Sequence, residues 1–347
     1  MPEPIHIIGS GLVTALGIGV GQNAAHVRAG MAAFAESDFL DQRLKRVVAA
    51  VLPSDALAPW VGGDSAGLSP RAIEVVRLAG MAVTEALAPH AHITAAQPIA
   101  TWCAWPEHET QVPLDLSRLA SVLTTQVGGR LSVQGAFRGR AGALAALHAA
   151  MKAMEEGAAC ALVVGADSLL HQFVLGTLLQ AQRIKTDQHS DGLIPGMGAG
   201  ALLVARADAV VRLNVPVSAR IVGVGIGAEE GHFGNDGDWQ GDALSAAAHT
   251  ALAGDTAPVA EIWSGMTGER CWAGELGVTQ VRCQQRIPAS AIIRHPADSW
   301  GDLGAATGVA LIAVAVAGHQ RGWARLPALA LASSDLGGRG AALVSAL

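Results

Sequence analysis

The sequence predicts an α/β fold with mixed, mostly parallel sheets, and three observations carry that reading. Short apolar runs alternate with Ala-rich helical stretches along the whole chain, as strands joined by helical crossovers do. The strand candidates are apolar throughout rather than at every second residue, so both faces of the sheet are covered. About half of the 347 residues are apolar (51%) and 15% are charged, with 42 glycines, which suits a large core and close helix–sheet approach.

Taken in order, IHIIGSG (5–11) reads as a buried strand closed by glycines, and GQNAAHVRAGMAAFAES as a helix and the turn after it. LSPRAIEVVRLAGMAVTEALA (68–88) is a helix opened by Ser69–Pro70, because serine satisfies free first-turn amides and proline fits the first helical position. PIATWCAW (98–105) reads as a strand, and 106–130 as a helix with loops. VQGAFRGRAGALAALHAAMKAM (133–154) passes from strand to helix, the helix running from about Ala141 to Glu156 and stopped by Gly157. Strands follow at 159–167, 198–208 and 219–227, then a helix around 241–253, the strand VAEIW (259–263), an apolar helix at 304–318 and a last strand, AALVSAL. No tandem repeat or low-complexity linker divides the chain, yet both parts share one strand–helix–strand grammar. A duplicated fold is expected.

Net charge is −6 with no basic block, which excludes nucleic acid as an expected partner. Cys103, Cys160, Cys271 and Cys283 show no CxxC spacing, arguing against a zinc ribbon or a redox dithiol, and scattered thiols fit a reducing cytoplasm. The opening MPEPIHIIGSG has no signal-peptide pattern, and the apolar run Gly304–Gly318 is too short for a membrane span, so the expected location is cytoplasmic. GSGLVTALG (9–17) lacks the third glycine and the later acidic residue of a dinucleotide fingerprint and reads as a structural turn. Asp187, His189 and Asp191 have metal-ligand chemistry, but nothing nearby completes a site, and they read as a solvated loop. No cofactor and no metal are expected.

Singly these stretches are bland, but their order is not. IHIIGSGLVTALG resembles the opening strand and loop of the β-ketoacyl-acyl-carrier-protein synthases, the ketosynthase family of the thiolase-like fold. GAACALVVGADSL resembles that family's strand with the Gly-Gly-Thr-Glu type motif. DQHSDGLIPGMGAGALLV resembles its Asp-x-x-Arg-Asp-Gly-Phe-x-x-Gly-Glu-Gly-Ala-Gly block, with Ser190, Leu193 and Met197 in place of Arg, Phe and Glu. GDLGAATG is similar to Gly-His-x-x-Gly-Ala-Ala-Gly, and SSDLGGRGAALV to Ser-Phe-Gly-Phe-Gly-Gly-Thr-Asn-Ala-Ser-Leu-Val. Five blocks in the family's order span residue 5 to the C-terminus. The resemblance implies a five-layered α-β-α-β-α block of two similar halves, 1–215 and 216–347, and a dimer.

The family's chemistry uses a cysteine at a helix N-terminus and two histidines. Its Ser-Thr-Ala-Cys-Ala-Thr-Gly-Ala-x-Ala stretch aligns without a gap on QGAFRGRAGA, which puts Phe137 at the nucleophile. The first histidine falls on Gly265, or on Ser264 with a one-residue shift; the second falls on Gly301, and the lysine before it on Pro296. The two phenylalanines of the C-terminal loop become Ser334 and Leu336, followed by Gly337 and Gly338; with Met197 and Gly198 these are the candidate pocket and loop residues. Every chemical residue is replaced while the glycines and alanines that shape the fold remain. Losing a nucleophile–base unit costs roughly 10⁶ in rate, about 8 kcal/mol.

The expected role is therefore a non-catalytic one: a chain-length-factor-like subunit paired with an active ketosynthase, or an adaptor or scaffold dimer gripping an acyl carrier protein or an unrelated client. The alternative is an acyltransferase of the 3-oxoacyl-ACP synthase type, or an acyl-binding protein, with a relocated dyad for which Cys271 and His295 are the candidates. Arg138 and Arg140 stand where positive charge opposes the helix dipole. They are expected to pair with carboxylates across a dimer interface in preference to holding an anion.

Overall fold

The computed structural model describes residues 3–96, 98–108, 113–235, 237 and 239–347. The chain opens with β1 (Ile5–Thr14) and the short β2 (Gly17–Ile18), then α1 (Val20–Arg28). A hairpin of β3 (Phe34–Leu40) and β4 (Arg46–Ala50) precedes the long α2 (Pro70–Leu87) and the short α3 (Ala91–Ala96). Next come β5 (Ile99–Trp105), α4 (Leu116–Gln126), β6 (Leu131–Arg138), α5 (Gly142–Glu155), β7 (Cys160–Ser168), α6 (Gln172–Gln180), β8 (Met197–Ala205) and α7 (Ala207–Leu213). The remainder is β9 (Ala219–Ala228), α8 (Asp242–Leu252), β10 (Glu261–Ser264), α9 (Arg270–Arg282), β11 (Ile292–Arg294), α10 (Ala297–Trp300), α11 (Thr307–Gln320), β12 (Ala328–Ser333) and β13 (Gly338–Ser345).

Local chemistry places several boundaries where the sequence predicts them. The Ser69 side chain accepts from the Ala72 amide and Pro70 occupies the first turn of α2. Gly157, at φ 118°, ends the run after α5. The end of the stretch 21–37, expected as a turn, instead belongs to strand β3, with Ser37 turned inward between exposed Glu36 and Asp38. Helices α6, α7 and α9 and strands β11 and β12 carry too weak a periodic signal to be predicted. Of the stretch 106–130, residues 109–112 lie outside the described residues.

The main sheet runs β11-β10-β12-β13-β9-β1-β8-β7-β5-β6, with β2 paired to β1. Strands β1, β5, β6 and β7 point one way and β8 runs against them. Strands β9, β10, β11 and β12 likewise share a direction, and β13 opposes them. In sequence order each set of five reads third–second–fourth–fifth–first, and the two sets meet where Ile5–Ile7 pairs antiparallel with Ala219–Ile221.

Helices cover these strands in layers. Helices α2 and α4 lie outside the first set, α8 and α9 outside the second, and α5 and α11 lie between the two, touching both. Three apolar clusters fill the gaps. Because α11 has sheet on both sides, Thr307–Gly318 is buried all round. The outer helices approach their strands at matching glycines: a Cβ on Gly11 would lie 2.0 Å from the Ala82 carbonyl oxygen, and one on Gly225 2.0 Å from that of Ala247. Strand and helix thus meet at van der Waals distance only because no side chain intervenes. The result is the five-layered α-β-α-β-α arrangement of the thiolase-like fold.

Candidate functional site

The end of β6 and the start of α5 enclose one corner of the central layer. Gly139 sits at φ 75°, and a Cβ there would fall 2.5 Å from Ser334 Oγ and 2.7 Å from Glu107 Oε2, so the turn admits only glycine. The Ala141 amide donates to Ser334 Oγ at 2.9 Å, tying the N-terminus of α5 to the turn between β12 and β13. Phe137 is half-buried beside Ala104 of β5 and packs on the edge of the central core.

Arg140, expected at an interface, is buried at 2% exposure, and its partners lie in the same chain. Its Nε donates to both carboxylate oxygens of Asp302 at 2.9 and 3.0 Å, Nη2 closes a further contact with Asp302, and Nη1 reaches Asp335. Asp335 is shared. Arg183 donates to its two oxygens at 2.7 and 3.0 Å, and His108 Nε2 lies 2.8 Å away. The other arm of Arg183 grips Glu269 at 2.7 and 2.9 Å. Glu107 accepts from the amides of Asp335 (2.9 Å) and Leu336 (3.1 Å), fixing the β12–β13 turn. Arg138, the last residue of β6, is half-buried.

Burial alone would raise the Asp335 carboxyl, but Arg140, His108 and Arg183 outweigh it and hold it well below the usual carboxylate range. Burial opposes the charge on Arg140, and Asp302 followed by Asp335 reverses that, keeping the guanidinium charged. Glu107 is pushed up, first by burial and then by the Asp335 charge. Asp167, one layer deeper, is raised by burial against the pull of Arg71. An aromatic group closes the outer side. Phe233, Trp239 and Trp272 pack edge-to-face, Arg183 Cζ lies 3.6 Å from the Phe233 ring centre, and Trp272 Nε1 donates to Glu269 at 2.9 Å. Beside it, Glu275 accepts from Arg339 Nε and from Trp239 Nε1 at 3.1 Å.

The positions aligned with the family's histidines have no room for a side chain. A Cβ on Gly265 would lie 2.6 Å from Thr307 Cγ2, and Gly301 has φ 73° with a Cβ position 2.8 Å from the Ile194 carbonyl oxygen. Ser264 is buried and its hydroxyl accepts from the Met266 amide. Met197 is buried on β8 with Gly198 beside it, where a Cβ would lie 2.7 Å from the Val13 carbonyl oxygen. Ser334 is buried, Leu336 is 57% exposed, Gly337 has φ 91°, and Gly338 begins β13. The contacts join Arg140 to Asp302, next to Gly301, and Ala141 to Ser334, while Gly265 packs on Thr307 at the start of α11.

Cys271 and His295 make no hydrogen bond to each other. His295 Nε2 pairs with Asp298 at 2.9 Å and its Nδ1 has no partner among the described residues. Burial, then Glu269, pushes the Cys271 thiol up to about 12, away from the thiolate a nucleophile needs. Sequence reasoning missed Asp302, Asp335, Arg183, Glu269, Glu107 and His108. A signal for two of them was present: GDLGAATG and SSDLGG each carry one aspartate in a sparsely charged chain. Among the described residues, no group of three or more His, Cys, Asp or Glu side chains is placed to hold a metal ion.

No family model matches the chain, and no curated protein matches it. Solved structures do. A β-ketoacyl synthase from Burkholderia phymatum STM815 aligns over 100% of both chains with TM-score 0.79 and 16% identity. The ishigamide ketosynthase/chain length factor aligns over 99% of each chain with TM-score 0.72 and 20% identity. AntDE:AntF, a type II PKS acyl-carrier protein in complex with its ketosynthase, aligns over 100% of both with TM-score 0.76 and 14% identity. Such likenesses concern architecture, and the architecture of this chain is that of the thiolase-like ketosynthases and chain length factors.

Proposed function

We propose that this chain is a catalytically silent ketosynthase-fold protein that acts as a binding partner, in the manner of a chain length factor beside an active ketosynthase. One observation carries the reading. The corner aligned with the ketosynthase nucleophile and histidines holds a buried, mutually paired ion network, Arg140–Asp302–Asp335–Arg183–Glu269, beside two glycines that exclude side chains. Every side-chain nitrogen of Arg140 and Arg183 is directed at a carboxylate, which supports a structural use of these charges over stabilisation of a developing oxyanion. The likeness to a ketosynthase/chain length factor and to a carrier-protein complex of a ketosynthase supports a ketosynthase or an acyl carrier protein as the partner class. The repeated strand order supports two duplicated halves, 1–215 and 216–347, with the boundary in the segment after α7. No helix among the described residues is long and apolar enough to cross a membrane.

Two measurements test this. Intact-protein mass spectrometry after incubation with acetyl-CoA, malonyl-CoA and malonyl-acyl-carrier-protein is expected to give no stoichiometric adduct. Affinity purification from the native host is expected to bring down a ketosynthase or a carrier protein. A stoichiometric acyl adduct on any residue overturns the silent reading. Recovery of the chain alone, at native abundance, overturns the partner reading.

A further inference from the structure

A slot runs along the outer edge of β4, away from the ion network. Its cavity measures about 230 Å³ and is lined by Lys45, Arg46, Val47 and Val48 on one side and by Lys185, Thr186, Asp187 and Ile194 among the others. Three consecutive residues of β4 and Lys45 just before them line it, so the cavity follows the strand's edge and not one of its faces. It is smaller than the roughly 300–1,000 Å³ of pockets that take coenzyme-sized ligands.

The backbone geometry says what the edge offers. In an antiparallel pair, alternate residues turn their N–H and C=O groups away from the partner strand. The Val47 carbonyl faces β3, where Ser37 Oγ donates to it at 2.7 Å, so the groups of Arg46, Val48 and Ala50 face outward. The Ala50 amide already donates across the slot, to the Pro195 carbonyl oxygen at 2.8 Å. Beyond that bond the 184–194 segment turns back on itself, with Lys185 N–H donating to the Leu193 carbonyl and Thr186 exchanging bonds with His189. No hydrogen bond joins the Arg46–Val48 backbone to that segment. The far end is crossed only by the exposed Lys45–Asp187 pair at 2.6 Å. A ladder is begun at Ala50 and abandoned for two outward-facing residues.

The side chains supply charge and an apolar floor. Val48 is 38% exposed and Val47 and Ile194 lie beside it. Arg46 is held by Asp38 and the Ser37 carbonyl, and Asp41 is turned into the hairpin turn, accepting from the amides of Arg43 and Lys45. Lys185, one of only three lysines in the chain, has no ion-pair or side-chain hydrogen-bond partner among the described residues. It is a flexible point charge at the rim of an unfinished strand ladder.

We infer that this slot binds an extended peptide segment of a partner protein, which adds a strand to β4 at Arg46 and Val48 and places an acidic side chain against Lys185. Main-chain bonds give such sites their affinity and alternate side chains their specificity. A three-residue extended stretch, about 10 Å long, spans the gap between the Ala50–Pro195 bond and the Lys45–Asp187 pair. The inference does not depend on whether the ketosynthase-like corner is silent.

The test uses the full chain on an array of random hexapeptides, with amide hydrogen exchange on the retained complexes. Retained peptides are expected to be enriched in Asp or Glu and to exclude proline at one central position, since proline has no amide to donate. Exchange at Arg46–Val48 is expected to slow when a retained peptide is bound. The exposed-site variant Lys185→Glu is expected to weaken those peptides at least ten-fold with unchanged melting temperature. Retention of no peptides, tolerance of proline at every position, absence of acidic bias, or unchanged exchange at Arg46–Val48 would each overturn the proposal.

Discussion

Replacing Arg140 by methionine separates a structural ion network from an incidental one. The guanidinium makes three contacts to Asp302 and one to Asp335. After its removal Asp335 still has Arg183 and His108, whereas Asp302 keeps only the Gly304 amide at 2.9 Å. The orphaned charge is therefore Asp302, at 2% exposure. Breaking a buried pair from one side costs about 3–5 kcal/mol, because the remaining ion stays desolvated without its partner. For a chain of 347 residues, unfolding entropy near 60 °C is roughly 0.7 kcal/mol/K, so the melting temperature should fall by about 4–7 °C. Adding Asp302→Asn removes the orphaned charge and leaves an oxygen to accept from Gly304, so the double variant should regain at least half of the loss. Calorimetry at pH 7 reads both. A fall below about 1 °C for Arg140→Met, or a double variant worse than the single, refutes the argument.

Three further outcomes are expected. Burial and the Asp335 charge raise the Glu107 carboxyl in the folded protein, so the native state holds that proton over a window where the unfolded chain has lost it. Stability from this group is present below the unfolded carboxyl range and is lost as pH rises through the folded value; Glu107→Gln should flatten the decline that sets in above the unfolded carboxyl range in pH-dependent denaturation. An unchanged slope would contradict it. Phe137→Cys should yield no β-ketoacyl product with acyl and malonyl thioesters, because Gly265 and Gly301 supply no base; product above the background of the parent protein would overturn this. Cys271, with its thiol pushed up to about 12, should react with iodoacetamide about 10³-fold more slowly in the native than in the unfolded protein at pH 7. Comparable rates would place it in a reactive environment after all.

The fold was legible because its signals are local and repeated. Buried strands such as Cys160–Ser168 and the all-apolar α11 can be read residue by residue, and glycines such as Gly11 and Gly225 mark where helix and strand must touch. The hairpin β3–β4 was not, since its inward positions include Ser37 and its exposed ones include Leu40 and Val48, which blurs the two-residue period. At the site, the resemblance alone leads to the expectation that Phe137, Gly265 and Gly301 take the places of reactive groups, because single residues can be compared within a motif. The ion pairs are not legible in that way. Arg140 meets Asp302 and Asp335 across separations of 162 and 195 residues, and Arg183 meets Glu269 across 86. No window of sequence contains such pairs, so arginine enrichment at interfaces points Arg140 outward while its partners lie inside the same chain.

Those long separations also bear on what a buried ion network contributes at this corner. Filling the corner with apolar side chains of similar volume would serve stability as well or better, since buried ion pairs recover their desolvation cost only with full hydrogen bonding. What ions add is directional specificity. Arg140 follows β6, Asp302 precedes α11, Asp335 follows β12 and Glu269 precedes α9, so one network fixes the mutual position of elements from both strand sets. Glu107 then pins the β12–β13 turn through two amides. A catalytic corner needs a turn that yields to substrate and donors left free for a developing charge. Here both guanidinium groups are aimed at carboxylates and the turn is held, which suits a subunit whose contribution is a fixed surface. If that is its selected property, Arg140→Met with Asp302→Asn should weaken partner binding more than it lowers the melting temperature, and equal binding by the two proteins would mean the network serves stability alone.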